Sequence, residues 1–234
     1  MPGRRAIGVD MGGTKLLAGV VDAELSVHYR FQRTLVGADQ AAVLDMAVSA
    51  VQEACEAAGE EVVGVGFGIP CLIDQRTGRA VIAINLPLAD IHFAEVMGER
   101  LGLPVLVDND ANLAALGEHR AGAATGARHV IMLTIGTGIG GGLILNGELY
   151  RGSIGSGAEL GHTVIDADGP PCQGNCPNHG CVEVLASGTA LAREAVRLAA
   201  EQPDSGLAAA AAEGYALAGP LVTELAHDGD AAAI

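Results

Sequence analysis

The stretch Ala-Ile-Gly-Val-Asp-Met-Gly-Gly-Thr-Lys, residues 6–15, decides the fold that we expect for this chain. Its first half is an apolar run ending in a carboxylate, which predicts a β-strand, and residues 16–21 predict a second strand just after the glycine pair. A tight turn between two strands exposes backbone N–H groups that a phosphate can approach. The side chains can add a hydroxyl donor, an ammonium and a carboxylate that holds Mg²⁺ directly or through water. We therefore predict a phosphate-binding turn formed by Asp10, Gly12, Gly13, Thr14 and Lys15.

The same order of strand, glycine-rich turn and strand recurs in the second half of the chain. Residues 130–135 predict a strand, and the sequence Gly-Thr-Gly-Ile-Gly at residues 136–140 predicts the turn. Neither turn fits the P-loop pattern, and a dinucleotide fingerprint would need a helix after the glycines, whereas a further strand and hairpin follow here. We predict a second phosphate-binding turn formed by Gly136, Thr137 and Gly138.

The recurrence of this pattern predicts two α/β lobes built alike, with a cleft between them. An alanine- and glycine-rich stretch at residues 121–127 is the candidate boundary, so that the lobes are residues 1–120 and 121–234. Within the first lobe, residues 39–58 and 90–101 predict helices, and residues 68–85 are punctuated by glycine and proline.

The composition indicates a well-buried globular protein with a strong negative charge. Of the 234 residues 50% are hydrophobic and only 3% aromatic, so Ala, Val, Leu and Ile must build the core. The formal charge of −15, without a cluster of Lys or Arg, argues against nucleic acid as a partner. The sequence has neither the apolar region of a signal peptide nor a long uncharged apolar run, so we expect a cytoplasmic protein without a membrane partner.

Polar side chains follow a predicted strand at residues 105–107. Asp108, Asn109 and Asp110 come directly after this strand, and residues 111–120 predict a helix. Side chains at the end of a strand and the start of a helix can meet a ligand together with backbone donors. This placement favours a catalytic carboxylate.

Five cysteines are present, and three of them fall within one window of ten residues: Cys172, Cys176 and Cys181. In a cytoplasmic protein such clustering indicates a metal site and not disulfides. Cys55 and Cys71 are isolated, and we interpret them as small core residues.

Taken in order, these motifs resemble the ROK family. The resemblance rests on Asp-x-Gly-Gly-Thr-Lys, Asp-Asn-Asp-Ala-Asn, Gly-Thr-Gly-x-Gly-Gly-Gly, Glu-Leu-Gly-His and the cysteine cluster, and it extends from Gly8 to about Ala190. Within the family, residues 172–183 resemble the corresponding run of bacterial glucokinases. The resemblance implies the two-lobed actin-like ATPase and sugar-kinase fold, which is ribonuclease H-like. It also implies ATP-dependent phosphorylation of a hexose at the 6-hydroxyl, glucose by preference, with Mg²⁺.

The resemblance also implies roles for individual residues. Asp110 would be the general base that accepts the proton of the sugar hydroxyl. The set of sugar ligands would be Asn109, Asp110, Glu159, His162 and Glu183. A weaker match places Gly78 and Asn85 where related proteins approach the sugar.

A structural Zn²⁺ site is predicted from His162, Cys172, Cys176 and Cys181. Three thiolates and one imidazole complete a closed tetrahedral site, so the metal would take no part in the reaction. One ring nitrogen of His162 can ligate zinc while the other hydrogen-bonds the sugar. His179 lies between the cysteines, and we interpret it as exposed and not as a ligand.

Two alternatives stay open beside a glucokinase. The first is another sugar substrate, namely N-acetylglucosamine, N-acetylmannosamine or fructose. The second is a sugar-responsive repressor or an inactive sugar-binding fragment, although a repressor would carry a helix-turn-helix ahead of the first glycine turn and only nine residues precede Asp10. Because ROK proteins normally continue further, we expect the second lobe to be incomplete and the chain truncated. The resemblance is compatible with a homodimer.

Overall fold

The computed structural model of the chain describes residues 3–35, 37–59, 61–83, 86–174 and 176–234. Asn85, one of the weaker sugar-site predictions, lies outside these residues. Packing divides the chain into two compact units, the first comprising the chain up to Met132 together with Gly142–Ala158, and the second comprising Leu133–Gly141 and Glu159–Ile234. The predicted division into lobes of residues 1–120 and 121–234 stays a prediction, because a packing unit and a functional lobe need not coincide.

The first unit is built on a mixed five-stranded sheet. Strands β1 (Arg4–Met11), β2 (Lys15–Val21), β3 (Val27–Thr34), β4 (Glu61–Ile69) and β8 (Val105–Asn109) lie in the order β3-β2-β1-β4-β8. Strands β1, β4 and β8 run parallel, and the register pairs Asp10 with Gly68 and Gly68 with Asp108. The carboxyl ends of these three strands therefore meet at one edge of the sheet, where ligands of open α/β sheets bind.

Helix α1 (Gln40–Ala58) covers one face of this sheet. Its buried stripe of Val43, Ala47, Ala50, Val51 and Ala54 follows helical spacing, and the small alanine side chains allow a close approach to the strands. The Asp39 side chain accepts a hydrogen bond from the Ala42 N–H at the start of the helix, and Gly59 ends the helix in the left-handed conformation. The predicted helix at residues 39–58 is confirmed.

Residues 68–85 contain two strands that the sequence did not predict. Strands β5 (Cys71–Asp74), β6 (Arg79–Ala83) and β7 (Ala89–Ile91) form a separate antiparallel sheet in the order β5-β6-β7. The helix predicted for residues 90–101 begins only at α2 (Phe93–Leu101), because Ile91 pairs with Ala80 in the sheet. Strands of three to five residues are too short for alternation to be read reliably, and pairing decides their conformation.

Helix α3 (Asp110–Ala121) follows β8 without a loop, and a three-stranded sheet comes next. Its strands β9 (Val130–Ile135), β10 (Ile139–Leu145) and β11 (Glu148–Leu149) lie in the order β11-β10-β9. The turn between β9 and β10 is the second glycine turn, as predicted, and Asn146 and Gly147 adopt positive φ in the hairpin between β10 and β11.

The second unit is mainly helical. A 3₁₀ helix (Leu160–His162) is followed by α4 (Val182–Ala186), α5 (Gly188–Glu201), α6 (Gly206–Ala212) and α7 (Gly219–His227), and the last three share a small apolar core. Gly229, at φ 87°, ends α7, and the Asp230 side chain accepts hydrogen bonds from the Ala232 and Ala233 N–H groups, as the cap of a following turn does. Among the described residues, none of the helices combines the length and the apolarity that crossing a membrane requires.

Candidate active site

Asp110 lies where β8 ends and α3 begins. The Asn109 side chain caps α3 by accepting a hydrogen bond from the Asn112 N–H at 3.1 Å, and the Asp110 side chain accepts one from the Ala111 N–H at 2.9 Å. The predicted placement at a strand end and a helix start is confirmed. Gly68 packs directly against this corner, since a Cβ there would lie 3.4 Å from the Cα of Asp110, in ordinary van der Waals contact.

Two carboxylates share this edge of the sheet. Burial raises the pKa of the Asp110 carboxyl, and the N–H groups at the start of α3 offset this rise only in part. Burial also raises the pKa of the Asp10 carboxyl, and the charge of Asp110 raises it further. A carboxylate with a raised pKa is a better general base than an ordinary one, and a like-charged pair is a good ligand for a divalent cation.

Stability should depend on pH through this pair. Because both pKa values are raised on folding, the folded chain holds more protons than the unfolded chain between the unfolded and folded values. Ionisation of the pair therefore lowers the free energy of unfolding, and this effect is complete at neutral pH. The lost stability is regained as the pH falls through the folded pKa values toward the unfolded value of about 4. We expect Asp10→Asn to be slightly more stable than the wild type at neutral pH without Mg²⁺, since Asp10 is exposed to solvent, and the advantage to shrink on acidification.

Thermal unfolding at neutral pH and at about pH 5 measures this effect. Asp204→Asn, at an exposed position outside the site, is the matched control for loss of one negative charge. An Asp10→Asn variant that is less stable than the wild type at neutral pH would contradict the expected sign.

The first glycine turn has exposed polar side chains and is held by backbone hydrogen bonds. The Gly12 N–H donates to the Lys15 carbonyl at 2.8 Å, and the Thr14 carbonyl accepts from the Leu35 N–H at 2.9 Å. Thr14 and Lys15 are both exposed, so their hydroxyl and ammonium groups are accessible to a phosphate.

The second glycine turn is held by the corner between α4 and α5. The Gly136 carbonyl accepts from the Gly188 N–H at 2.8 Å, and the Thr137 carbonyl accepts from the Thr189 hydroxyl at 2.7 Å. Glu183 accepts a hydrogen bond from the Ile139 N–H at 2.8 Å. A side chain at position 138 would collide with the Glu183 carboxylate, which explains the glycine there. Sequence reasoning missed this contact, since the only signal was that Glu183 follows the last cysteine.

The four predicted metal ligands come together in the second unit. One ligand atom from each of His162, Cys172, Cys176 and Cys181 lies within 4.8 Å of all the others, and the Cys172 Sγ is 3.4 Å from the His162 Nδ1. Ligands around tetrahedral zinc lie ~3.3–3.8 Å apart, so small side-chain movements complete the geometry. All the cysteines are free thiols. The residues therefore fit a zinc ion.

The loop that carries these ligands is closed by its own backbone. Val164 pairs with Cys181 and Pro171 with His179, and Gly180 has a positive φ of 59° where a Cβ would collide with the Asp166 carbonyl. His179 is exposed and its Nδ1 contacts the Gly169 carbonyl at 3.2 Å, in line with the interpretation that it is not a ligand.

The remaining predicted sugar ligands lie beside the loop that carries the predicted metal ligands. Glu159 directly precedes the 3₁₀ helix, where the His162 N–H donates to its carbonyl at 3.1 Å. The candidate site residues thus fall into two groups. Asp10, Gly12, Gly13, Thr14, Lys15, Asn109 and Asp110 belong to the first unit, and Gly136, Thr137, Gly138, Glu159, His162, Glu183 and the three cysteines belong to the second. Gly78 has a clear packing role, since a Cβ there would lie 2.5 Å from the Ala94 Cβ.

A parallel strand edge with acidic side chains, combined with glycine turns between successive strands, defines an α/β protein of the actin-like ATPase and sugar-kinase class. Within that class the chain belongs to the ROK family, whose sequence model matches residues 6–233. The resemblance seen in the motifs is confirmed.

Curated relatives and solved structures extend this assignment. The chain is 41% identical to the glucokinase of Streptomyces coelicolor over 201 residues, which are 85% of this chain and 61% of that protein. It is 37% identical to a ROK glucokinase from Streptomyces griseus solved with glucose and AMPPNP, with a TM-score of 0.85 over 98% of this chain and 73% of the other. It is also 41% identical to the xylose repressor of Bacillus subtilis over 129 residues, 55% of this chain and 33% of the repressor. The chain therefore spans about three fifths of the length of the curated glucokinase.

Proposed function

We propose that this chain carries the active-site residues of a hexose kinase that transfers the γ-phosphoryl group of ATP to the 6-hydroxyl of glucose. The observation that supports this most directly is the similarity to a glucokinase whose structure holds glucose and an ATP analogue. The β8–α3 corner adds chemical support, because it offers a half-buried carboxylate with a raised pKa.

In this proposal the chain orients the reactants and moves one proton. The Asp110 carboxylate accepts the proton of the attacking hydroxyl, whose oxygen forms the new bond to the γ-phosphorus as the bond to the β-phosphate oxygen breaks. The two glycine turns present backbone N–H groups to the phosphates. Because phosphoryl transfer has a loose transition state, orientation of the attacking oxygen matters more than the strength of the base.

The sugar hydroxyls would be bound by Asn109, Asp110, Glu159, His162 and Glu183. Carboxylates and amides provide several acceptors, and the imidazole N–H of His162 provides a donor. Fixed positions for these groups favour one orientation of a polyol. N-acetylglucosamine, N-acetylmannosamine and fructose are the competing substrates.

Two metals complete the proposal. Asp10 would hold Mg²⁺, which neutralises phosphate charge when bound. His162 and the three cysteines would hold Zn²⁺ as a structural ion. Thiolate ligands and ATP both suit a reducing cytoplasm, where we place the protein. The homodimer suggested by the resemblance stays a prediction.

A coupled assay of ADP formation tests the proposal on the purified chain with glucose, N-acetylglucosamine, N-acetylmannosamine and fructose in turn. Turnover that is fastest with glucose supports a glucokinase. Faster turnover with another sugar would assign that sugar as the substrate in place of glucose. Calorimetric sugar binding without turnover would instead favour a sugar-binding regulator, the alternative that the xylose repressor similarity raises.

A further inference from the structure

Asp108 is a buried charge next to the proposed catalytic corner. It precedes Asn109 and Asp110 in β8, and its side chain is only 5% exposed. Burying a carboxylate is costly unless charged or polar partners replace the lost water. The hydrogen-bond donors to Asp108 therefore show how this buried carboxylate is stabilised and which segments it connects.

The donors to Asp108 come from separate parts of the first unit. The Arg151 Nε donates to one carboxylate oxygen at 2.6 Å, and the Gln75 Nε2 donates to the other at 2.9 Å. The same second oxygen accepts from the Asn109 N–H at 2.8 Å and from the Asn112 Nδ2 at 3.3 Å. One carboxylate thus joins the turn between β5 and β6, the loop after β11, and the first turn of α3.

The loop that carries Arg151 is closely packed, whereas Gln75 lies in an exposed turn. A Cβ at Gly155 would lie 2.7 Å from the Ile73 carbonyl, and one at Gly157 would lie 2.6 Å from the Gly152 backbone nitrogen. The loop of residues 151–157 therefore packs closely on strand β5. Two donors that reach the Asp108 carboxylate from different segments, one of them closely packed, restrict its position and its rotation.

We propose that Arg151 and Gln75 are positioning residues, which act through Asp108 to orient Asn109 and Asp110 toward the sugar. The step from Asp108 to the corner is direct, because Asp108 accepts the N–H of Asn109 and the side-chain amide of Asn112, one turn into α3. This inference rests on the proposed function, in which Asn109 and Asp110 bind the sugar hydroxyl.

The central test compares Arg151→Ala with Arg151→Lys and with Arg76→Ala. Arg76 lies next to Gln75 in the same turn but its side chain is 90% exposed, so its removal controls for loss of a positive charge. Three quantities are measured: the sugar Kd by calorimetry without nucleotide, kcat and KM with glucose, and the thermal midpoint. The binding measurement does not depend on phosphoryl transfer.

For Arg151→Ala we expect kcat to fall ~10²-fold, the usual result of displacing a reacting group by about 1 Å. The sugar Kd should rise ~10-fold through the loss of charge-assisted positioning, while the KM for ATP stays within ~2-fold because the glycine turns are untouched. The kcat of Arg151→Lys should be about tenfold higher than that of Arg151→Ala, since an ammonium replaces the charge but not the geometry of the guanidinium. Arg76→Ala should match the wild type.

A lower thermal midpoint for Arg151→Ala with kcat and sugar Kd unchanged would overturn the proposal, because the ion pair would then serve stability alone. If Arg151→Ala does not fold, Gln75→Leu decides, with an expected ~5-fold loss of kcat from one neutral donor and an unchanged kcat as the refuting result. If the wild type binds sugar without phosphorylating it, the proposed kinase function fails, and the change in sugar Kd still decides the role of Arg151.

Discussion

Asp110→Asn is expected to lower turnover with glucose by ~10²- to 10⁴-fold, the usual contribution of a positioned general base. The amide has nearly the shape of the carboxylate, and its oxygen can still accept the Ala111 N–H, so the corner between β8 and α3 should keep its geometry. What is lost is the ability to take the proton of the attacking hydroxyl. The effect should therefore appear in kcat, with the sugar Kd changed by no more than ~3-fold.

The Asp110→Asn variant should be at least as stable as the wild type, although its turnover is lower. Because burial raises the pKa of Asp110, its ionised form destabilises the folded chain at neutral pH, and the neutral amide removes this loss. A variant that is inactive yet at least as stable as the wild type cannot be explained by misfolding. Steady-state kinetics, calorimetric sugar binding and thermal unfolding measure the three quantities, with Asp204→Asn as the charge-matched control. Wild-type kcat in Asp110→Asn would remove the general base from the proposed mechanism.

The position of Asp110 could be predicted because the signals are local. An apolar run, three polar residues and a helical pattern follow one another directly, and each is decided by neighbours within a few residues. The register of the sheet then brings Asp10 beside Gly68 and Gly68 beside Asp108, as parallel strands with a common edge require. The local pattern therefore predicted the placement of Asp110, whereas its proximity to Asp10 follows from the sheet register that the structure shows.

The network around Asp108 could not be predicted in the same way. Its partners lie 33 residues before it and 43 residues after it, and neither Gln75 nor Arg151 differs in kind from an ordinary surface residue. The short strands that place them also escape periodicity analysis. Residue type is enough to suggest a catalytic carboxylate or a thiolate ligand. The residues that would orient such groups can be recognised only from their contacts in the folded chain.

The cluster of His162 and the three cysteines, for which we propose zinc, could be predicted only in part from the sequence. Residue type and spacing predicted its members, but the contacts that link it to the second glycine turn were not predicted. Cys181 directly precedes α4, and Glu183 in its first turn holds the Ile139 N–H. Gln173, next to Cys172, donates a hydrogen bond to the hydroxyl of the buried Ser187, which caps α5. The next residue, Gly188, donates its N–H to the Gly136 carbonyl in the second glycine turn. The metal loop is thus bonded at both of its ends to the elements that hold the turn.

Removal of zinc should therefore destabilise more than the metal loop. A structural zinc ion contributes about 10–16 kcal/mol of binding free energy, which is comparable with the whole free energy of unfolding of a domain. We expect one zinc per chain by elemental analysis, and a fall of the thermal midpoint by roughly 10 °C or more on chelation or in Cys176→Ala. Cys55→Ala, which removes a thiol of α1 outside the cluster, should retain the zinc and stay close to the wild-type midpoint.

Hydrogen exchange gives the sharper measurement, because it reports on single segments. The Ile139 amide is bonded to Glu183, so it should exchange much faster in the zinc-free chain, whereas the β1 amides, in the first unit, should change little. Faster exchange at Ile139 and weaker ATP binding together would mean that the metal loop holds the phosphate turn in place. Unchanged exchange at Ile139 in a zinc-free but folded chain would contradict this link, and stoichiometric zinc in Cys176→Ala would contradict the ligand set.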